Sequence, residues 1–332
     1  MIRDLLERAL RSYATLIVSI LLFLILWGGV LLSLFGSPVA PVSLDLFGYS
    51  FTMGMGGQAA VSIVLFLLDV YLLYRIISEF GFYNVRTSFA PGLFIALIGG
   101  SWFLMPLHSG NICLSIMMLA IYVLLSTYQM HHAITEYVTG YALLGLITIL
   151  SPKWMLLVPV FIIGCGLIQS LTPRTFMAAI IGLVIPYWIG GGLLFLFDEM
   201  DHFLIPFIQL AEFCPIRYGA LSPHQITALI LLLFLAIPSM FHYPGSSFSI
   251  REKARVCYNF LFALFVSTLV LILLQPCLVN EFYPLLTVVT SIFVTQMLIS
   301  ARGRFGSIYF LILLVLYLIY ITEPIWVDLL IS

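Results

Sequence analysis

The chain has 332 residues, of which 63% are hydrophobic and 8% are charged, and its net charge is −1. A soluble domain carries about 25% charged residues, so this composition excludes the soluble class and predicts a membrane protein. The balance of acids and bases gives no basis for a nucleic-acid partner.

The chain begins with a charged amphipathic stretch, MIRDLLERALRSY, without a small-residue cleavage site. It predicts an interfacial helix over 1–12 and no cleaved signal peptide. Eleven apolar segments follow, and each predicts a helical span, because lipid leaves backbone groups of open structure unsatisfied. We expect one all-α membrane domain over 1–332, with spans near 13–35, 56–79, 88–106, 110–128, 136–151, 153–171, 175–197, 225–242, 256–278, 281–300 and 305–322.

The distribution of basic residues predicts the orientation of these spans. With the N-terminus in the cytoplasm, the inner segments hold eleven of the 13 Lys and Arg residues, and the outer segments hold only Lys153 and Arg217. Cytoplasmic segments of membrane proteins are enriched in Lys and Arg. The sequence therefore predicts about eleven spans with an N-in, C-out topology.

Two longer segments between spans, 36–55 and 198–224, fall outside in this topology. Both contain apolar residues among turns, which predicts re-entrant or surface-lying segments. Cys214 and Cys277 also fall outside, so a disulfide between them is open. Cys113 and Cys165 lie within apolar runs and are expected to be small core residues.

Two acidic residues are candidates for chemistry. Asp45 is the only ionisable residue of the first outer loop and could act as a general base or metal ligand, or cap a turn in solvent. Asp69 lies within the apolar run LFLLDVYLLYR. A charge at membrane depth is costly, so Asp69 predicts either a proton relay or substrate contact, or a structural hydrogen bond to another helix.

Three basic or titratable residues on the predicted outer side are candidates for substrate binding. Lys153 follows Pro152 at the tip of a short hairpin, where it either contacts a phosphate or only extends its ammonium group to the interface. His108 in PLHSGN could bind a phosphate or a metal, or be a plain turn residue, and Arg217 could contact an anionic head group, or be an ordinary surface residue. No cofactor is expected, although the acidic stretch DEMDHF over 198–203 leaves a divalent cation open.

Residues 93–188 resemble the multi-span glycosyltransferases of the GT-C type. The resemblance rests on a hairpin with a polar tip, a Gly-Leu run ending in Ser-Pro-Lys, a basic turn, and a span with Pro-Tyr-Trp. These features correspond to His108 and Ser109, Gly145 with Ser151–Lys153, Arg174, and Pro186–Trp188. The whole chain also resembles an uncharacterised family of Bacteroidota inner-membrane proteins, which implies multi-pass insertion in a bacterial inner membrane.

The GT-C resemblance implies a polyprenyl-phosphate-linked sugar as donor and catalysis on the extracytoplasmic face, in envelope glycan assembly. The base of the first loop would be Asp45, and Lys153 would lie near the lipid phosphate. The first loop holds one acid and not the acidic pair common in these enzymes, so a catalytically reduced relative also fits. Two other classes stay open: a non-enzymatic scaffold subunit with envelope protein partners, and a transporter or lipid flippase that uses Asp69.

Overall fold

A computed structural model of the protein describes residues 9–10, 12–34, 43–46, 49–52, 55–104, 107–130, 132–246, 251–301 and 304–331. The interfacial helix expected over 1–12 lies almost wholly outside this range. Helices and one strand pair make up the described chain. The α-helices are α1 Ala14–Leu34, α2 Met55–Phe80, α3 Phe89–Gly100, α4 Ser109–Ser126, α5 Ile134–Leu150, α6 Val158–Leu167, α7 Pro173–Leu196, α8 Ile205–Ala211, α9 Pro223–Ser246, α10 Glu252–Leu274, α11 Val279–Ser300 and α12 Arg304–Ile331.

Seven helices of the described chain are long and apolar enough to cross a membrane, so the protein is a multi-pass membrane protein. They are Gly56–Phe80, Ser109–Ser126, Pro173–Leu196, Pro223–Gly245, Glu252–Leu274, Pro276–Ser300 and Phe305–Glu323. Four further apolar helices, Ala14–Gly29, Phe89–Gly100, Ile134–Leu150 and Pro152–Leu167, are shorter. The expected eleven spans therefore correspond to seven long helices and four short ones, and the count of eleven stays a prediction.

Two segments differ from the all-helical expectation. Part of the first loop forms a two-stranded antiparallel hairpin, β1 Ser43–Leu46 and β2 Tyr49–Thr52, in which Asp45 faces Ser50. Its sequence alternates polar and apolar residues around a glycine, as hairpins do. The predicted span 153–171 instead begins with a 3-10 helix over Pro152–Leu157, before α6. Hydropathy alone does not distinguish such a turn from the start of a span.

Helix α11 lies at the centre of the bundle. In the candidate span Pro276–Ser300, 94% of the apolar window is buried within the protein, and the helix packs against α3, α4, α9, α10 and α12. Several of its hydroxyl groups are satisfied within the helix: Thr287 donates to the Tyr283 carbonyl at 2.8 Å, and Thr295 donates to the Ser291 carbonyl at 2.7 Å. These hydroxyl groups are therefore buried at low cost, whereas the buried Thr290 hydroxyl has no partner.

Helix α7 lies at the periphery and packs mainly on α5. Only 17% of its apolar window is buried within the protein. Two glycines bring the helix backbones into contact. A Cβ atom on Gly145 would lie 2.5 Å from the Leu183 carbonyl oxygen, and one on Gly182 would lie 2.6 Å from the Val138 carbonyl oxygen. Close approach at small residues is the usual way in which membrane helices associate, and it leaves the rest of α7 facing lipid.

Candidate functional site

A cavity of about 440 Å³ lies at one end of the bundle. Four segments border it: the start of α4, the turn over 150–153, residues 209–215, and the start of α11. Its polar lining residues are Ser109, Ser151, Lys153, Gln209, Glu212 and Glu281. One basic and two acidic residues therefore line the same cavity.

Lys153 is fixed by the segment that follows α7. Its ammonium group donates to the backbone carbonyls of Glu212 and, at 3.3 Å, Leu210, and lies 5.5 Å from the centre of the Phe213 ring. Pro152 occupies the first turn of the 3-10 helix, where its missing N–H costs nothing. The hairpin tip therefore holds residues 205–213 in place and also borders the cavity.

Glu281 lines the same cavity as Lys153. Ser151 donates a hydrogen bond of 2.5 Å to its carboxylate, which also interacts through its charge with Lys153. Gly110 makes this approach possible, because a Cβ atom there would lie 2.6 Å from the Glu281 Cα atom. Any larger residue at 110 would separate the starts of α4 and α11.

A disulfide between Cys214 and Cys277 borders the same site, and Cys214 lines the cavity. It joins the segment after α8 to the turn before α11, across 63 residues of sequence. We call this end of the bundle the disulfide end. Disulfides persist in oxidising compartments, which bears on the orientation of the protein.

A second polar cluster at the disulfide end contains His224 and Glu323. The Nδ1 atom of His224 is hydrogen-bonded to the Glu323 carboxylate, and its Nε2 atom donates to the Gly100 carbonyl at 3.0 Å. The Tyr320 ring stacks on the His224 ring at 5.0 Å, and its hydroxyl lies 2.8 Å from the Ser101 hydroxyl. The cluster thus ties together the end of α3, the start of α9 and the end of α12.

The residues that the sequence singled out do not all meet. Of these residues, Lys153 alone lines the cavity. His108 occupies the N-cap position of α4, next to the lining residue Ser109, without a side-chain capping hydrogen bond, and Arg217 is exposed beyond the lining segment. Asp45 is placed by its backbone in β1, which contacts α5, but its side chain lies outside the described part. Asp69 is fully buried in α2.

Sequence reasoning missed Glu281 as a site residue and did not consider His224 or treat Glu323 as more than an outer acid. Ser151 and Glu281 are 130 residues apart, and His224 and Glu323 are 99 apart, so no local pattern indicates either pair. Among the described residues, no three His, Cys, Asp or Glu side chains form a group that could hold a metal ion.

No protein-family model matches the chain, and no curated protein sequence matches it. The GT-C resemblance therefore stays a prediction, and any function has to be argued from the cavity and its neighbours.

Proposed function

We propose that the protein is a GT-C-like membrane glycosyltransferase whose donor, a polyprenyl-phosphate-linked sugar, binds in the cavity at the disulfide end. The observation that carries this proposal is the presence of Lys153 and Glu281 on one cavity of about 440 Å³. Small-molecule sites have volumes of about 300–1,000 Å³. The ammonium group of Lys153 would contact the phosphate, and a carboxylate would act on the acceptor.

The transfer step assigns a role to each group. The acceptor hydroxyl oxygen attacks the anomeric carbon of the sugar, and the bond from that carbon to the phosphate oxygen breaks. Polyprenyl phosphate leaves with the bonding electrons, beside Lys153, and the hydroxyl proton passes to a carboxylate. Glu281 is the candidate base on the cavity. Asp45 stays a second candidate, because β1 contacts α5, whose last residue, Leu150, borders the cavity.

Exposed apolar side chains at the end of α7 and on the cavity support a lipid-linked donor. Leu196, Phe197 and Phe213 are 77%, 73% and 75% exposed, and Phe213 also lines the cavity. An apolar surface of this kind is stable in lipid and costly in water. A polyprenyl chain could lie along the end of α7 while its phosphate reaches Lys153.

The proposal includes the orientation and location expected from the sequence: about eleven spans, N-in and C-out, in a bacterial inner membrane, with a role in envelope glycan assembly. The Cys214–Cys277 disulfide supports this orientation, because an oxidising compartment lies on the extracytoplasmic side. The excess of Lys and Arg in the segments predicted to lie inside agrees with it.

Lipid binding tests the proposal directly. The full chain, in lipid nanodiscs, is incubated with a photoreactive polyprenyl phosphate or with the matching alcohol, and crosslinking is measured against concentration. We expect saturable crosslinking of the phosphate only, and a roughly tenfold weaker affinity in Lys153→Met, which is about 1.4 kcal/mol. Lys153→Arg should retain the affinity.

Lys253→Met is the matched control, since Lys253 also lies over an aromatic ring, 4.8 Å from the centre of Phe80, at the opposite end of α10. Melting temperatures show whether each variant is folded. Equal crosslinking of phosphate and alcohol, or unchanged affinity in folded Lys153→Met, would refute the donor site. In a transfer assay, Glu281→Gln should bind the donor but transfer no sugar, and Asp45→Asn tests the second base in the same way.

A non-catalytic scaffold subunit is the second candidate function. It is favoured by the ammonium group of Lys153, which already donates to two backbone carbonyls and so has a structural use without any ligand. Under this alternative, Lys153→Met lowers the melting temperature, while the wild-type protein shows no preference for the phosphate over the alcohol.

A further inference from the structure

Asp69 lies near the middle of the candidate span Gly56–Phe80, on the face of α2 that points into the bundle. Ser62, Phe66 and Asp69 follow one another at helical spacing, and all three are buried. Val64 and Tyr71, on the opposite face, are 64% and 56% exposed. The carboxyl group therefore faces other helices and not lipid.

No described cation compensates this carboxyl group. Its relative exposure is 0%, and neither of its oxygens makes a hydrogen bond. The nearest cation in the sequence, Arg75, lies on the exposed face and pairs with Glu79 at 3.7 Å. An ionised carboxylate without a partner in such a place would cost several kcal/mol.

The groups that face Asp69 from α4 are polar and uncharged. The Ser115 hydroxyl lies near the Asp69 carboxyl group without a hydrogen bond between them, and it donates to the Asn111 backbone carbonyl at 3.5 Å. The Asn111 side-chain amide donates to the Ser62 hydroxyl at 3.4 Å, and the side-chain oxygen Oδ1 of Asn111 has no partner. A hydroxyl or amide can accept a hydrogen bond from a carboxylic acid, but it does not neutralise a carboxylate.

We propose that Asp69 is a proton-binding site at membrane depth: the carboxyl group carries a proton in the folded protein, and this proton faces the hydroxyl of Ser115. The bound proton neutralises the negative charge of the carboxylate, which no neighbouring side chain does. The order of the groups suits a neutral acid, since Ser115 directs its own hydrogen to the Asn111 carbonyl and leaves its oxygen free to accept. A carboxyl group that binds and releases a proton at this depth can couple a membrane protein to a proton gradient. This site is separate from the cavity of the proposed transferase.

Infrared spectroscopy detects the proton itself. The wild-type protein and Asp69→Asn are reconstituted in lipid, and their spectra are subtracted in H2O and in D2O. We expect the wild type to show the carbonyl stretch of a protonated carboxyl group, shifted in D2O and lost in Asp69→Asn. Asp198→Asn is the control: Asp198 is exposed and has φ +59°, a backbone conformation that Asn adopts readily, and the band should remain.

Carbodiimide labelling gives a second readout that needs no variant to fold. A hydrophobic carbodiimide reacts with protonated carboxyl groups, and mass spectrometry locates the adduct. We expect an adduct on Asp69 of the wild type, formed more slowly as the pH is raised. Absence of both the band and the adduct would overturn the proposal. Protection of Asp69 by Na⁺ at constant pH would also overturn it, because the site would then hold a metal cation.

Discussion

The disulfide end and the α2–α4 interface both bury carboxyl groups, but they treat them differently. Glu281 accepts a hydrogen bond from Ser151, and Glu323 pairs with His224, whereas neither oxygen of Asp69 makes a hydrogen bond. The partnered groups join segments distant in sequence and so stabilise the arrangement of helix ends. Asp69 makes no hydrogen bond that links two segments, and burying a carboxyl group without a hydrogen-bond partner costs free energy. The contacts of Glu281 and Glu323 account for their burial by the fold, in addition to the catalytic role proposed for Glu281, whereas the burial of Asp69 has no such structural explanation.

Among the contacts at the disulfide end, the Cys214–Cys277 disulfide should contribute most to the stability of the protein. Replacing both cysteines, Cys214→Ser with Cys277→Ser, should lower the free energy of unfolding by about 2–4 kcal/mol, because the reduced chain gains freedom in the unfolded state. The measurement is unfolding in mixed detergent micelles.

Reduction of the wild type by a thiol reagent should reproduce the loss, and the same reagent should leave the double variant unchanged. A double variant as stable as the wild type would mean that the disulfide end is held by its hydrogen bonds and packing alone.

The His224–Glu323 pair should contribute the next largest effect. Glu323→Ala removes a charge-assisted hydrogen bond from a buried imidazole and should cost about 2–3 kcal/mol. Glu323→Gln should recover most of that loss, since its amide can donate to Nδ1 while Nε2 still donates to Gly100. Melting temperatures in detergent measure both variants.

Equal losses in the Ala and Gln variants would contradict this account. The negative charge of Glu323, and not its hydrogen bond, would then hold His224 in place.

Local sequence features predicted the long helices and the position of Lys153. The predicted spans 256–278 and 281–300 correspond to α10 Glu252–Leu274 and α11 Val279–Ser300, because long apolar runs and the turn at Pro276 are local signals. The predicted position of Lys153 at a hairpin tip is also seen, and Pro152 accounts for it.

Long-range partners could not be predicted in this way. The contact of Gly110 with Glu281, and the bond of Lys153 to the Glu212 carbonyl, depend on how helices meet in space. Hydropathy also does not show which span is central: α11 is almost wholly buried and α7 is mostly exposed, although both are apolar. That difference arises from packing: α11 contacts five other helices, whereas α7 packs mainly on one.

Of the three changes, Asp69→Asn should alter the free energy of unfolding least. The size of its effect shows whether the Asp69 carboxyl group is neutral in the folded protein. Asn has nearly the shape of a neutral carboxylic acid, so we expect the free energy of unfolding to change by less than about 1 kcal/mol. If Asp69 were ionised, removing an unpartnered buried charge would instead stabilise the protein by several kcal/mol. A loss of several kcal/mol would mean that a cation compensates the carboxylate after all. Unfolding of Asp69→Asn beside Asp198→Asn, in the same detergent, separates the three outcomes, because only a carboxyl group that is already neutral leaves both variants close to the wild type.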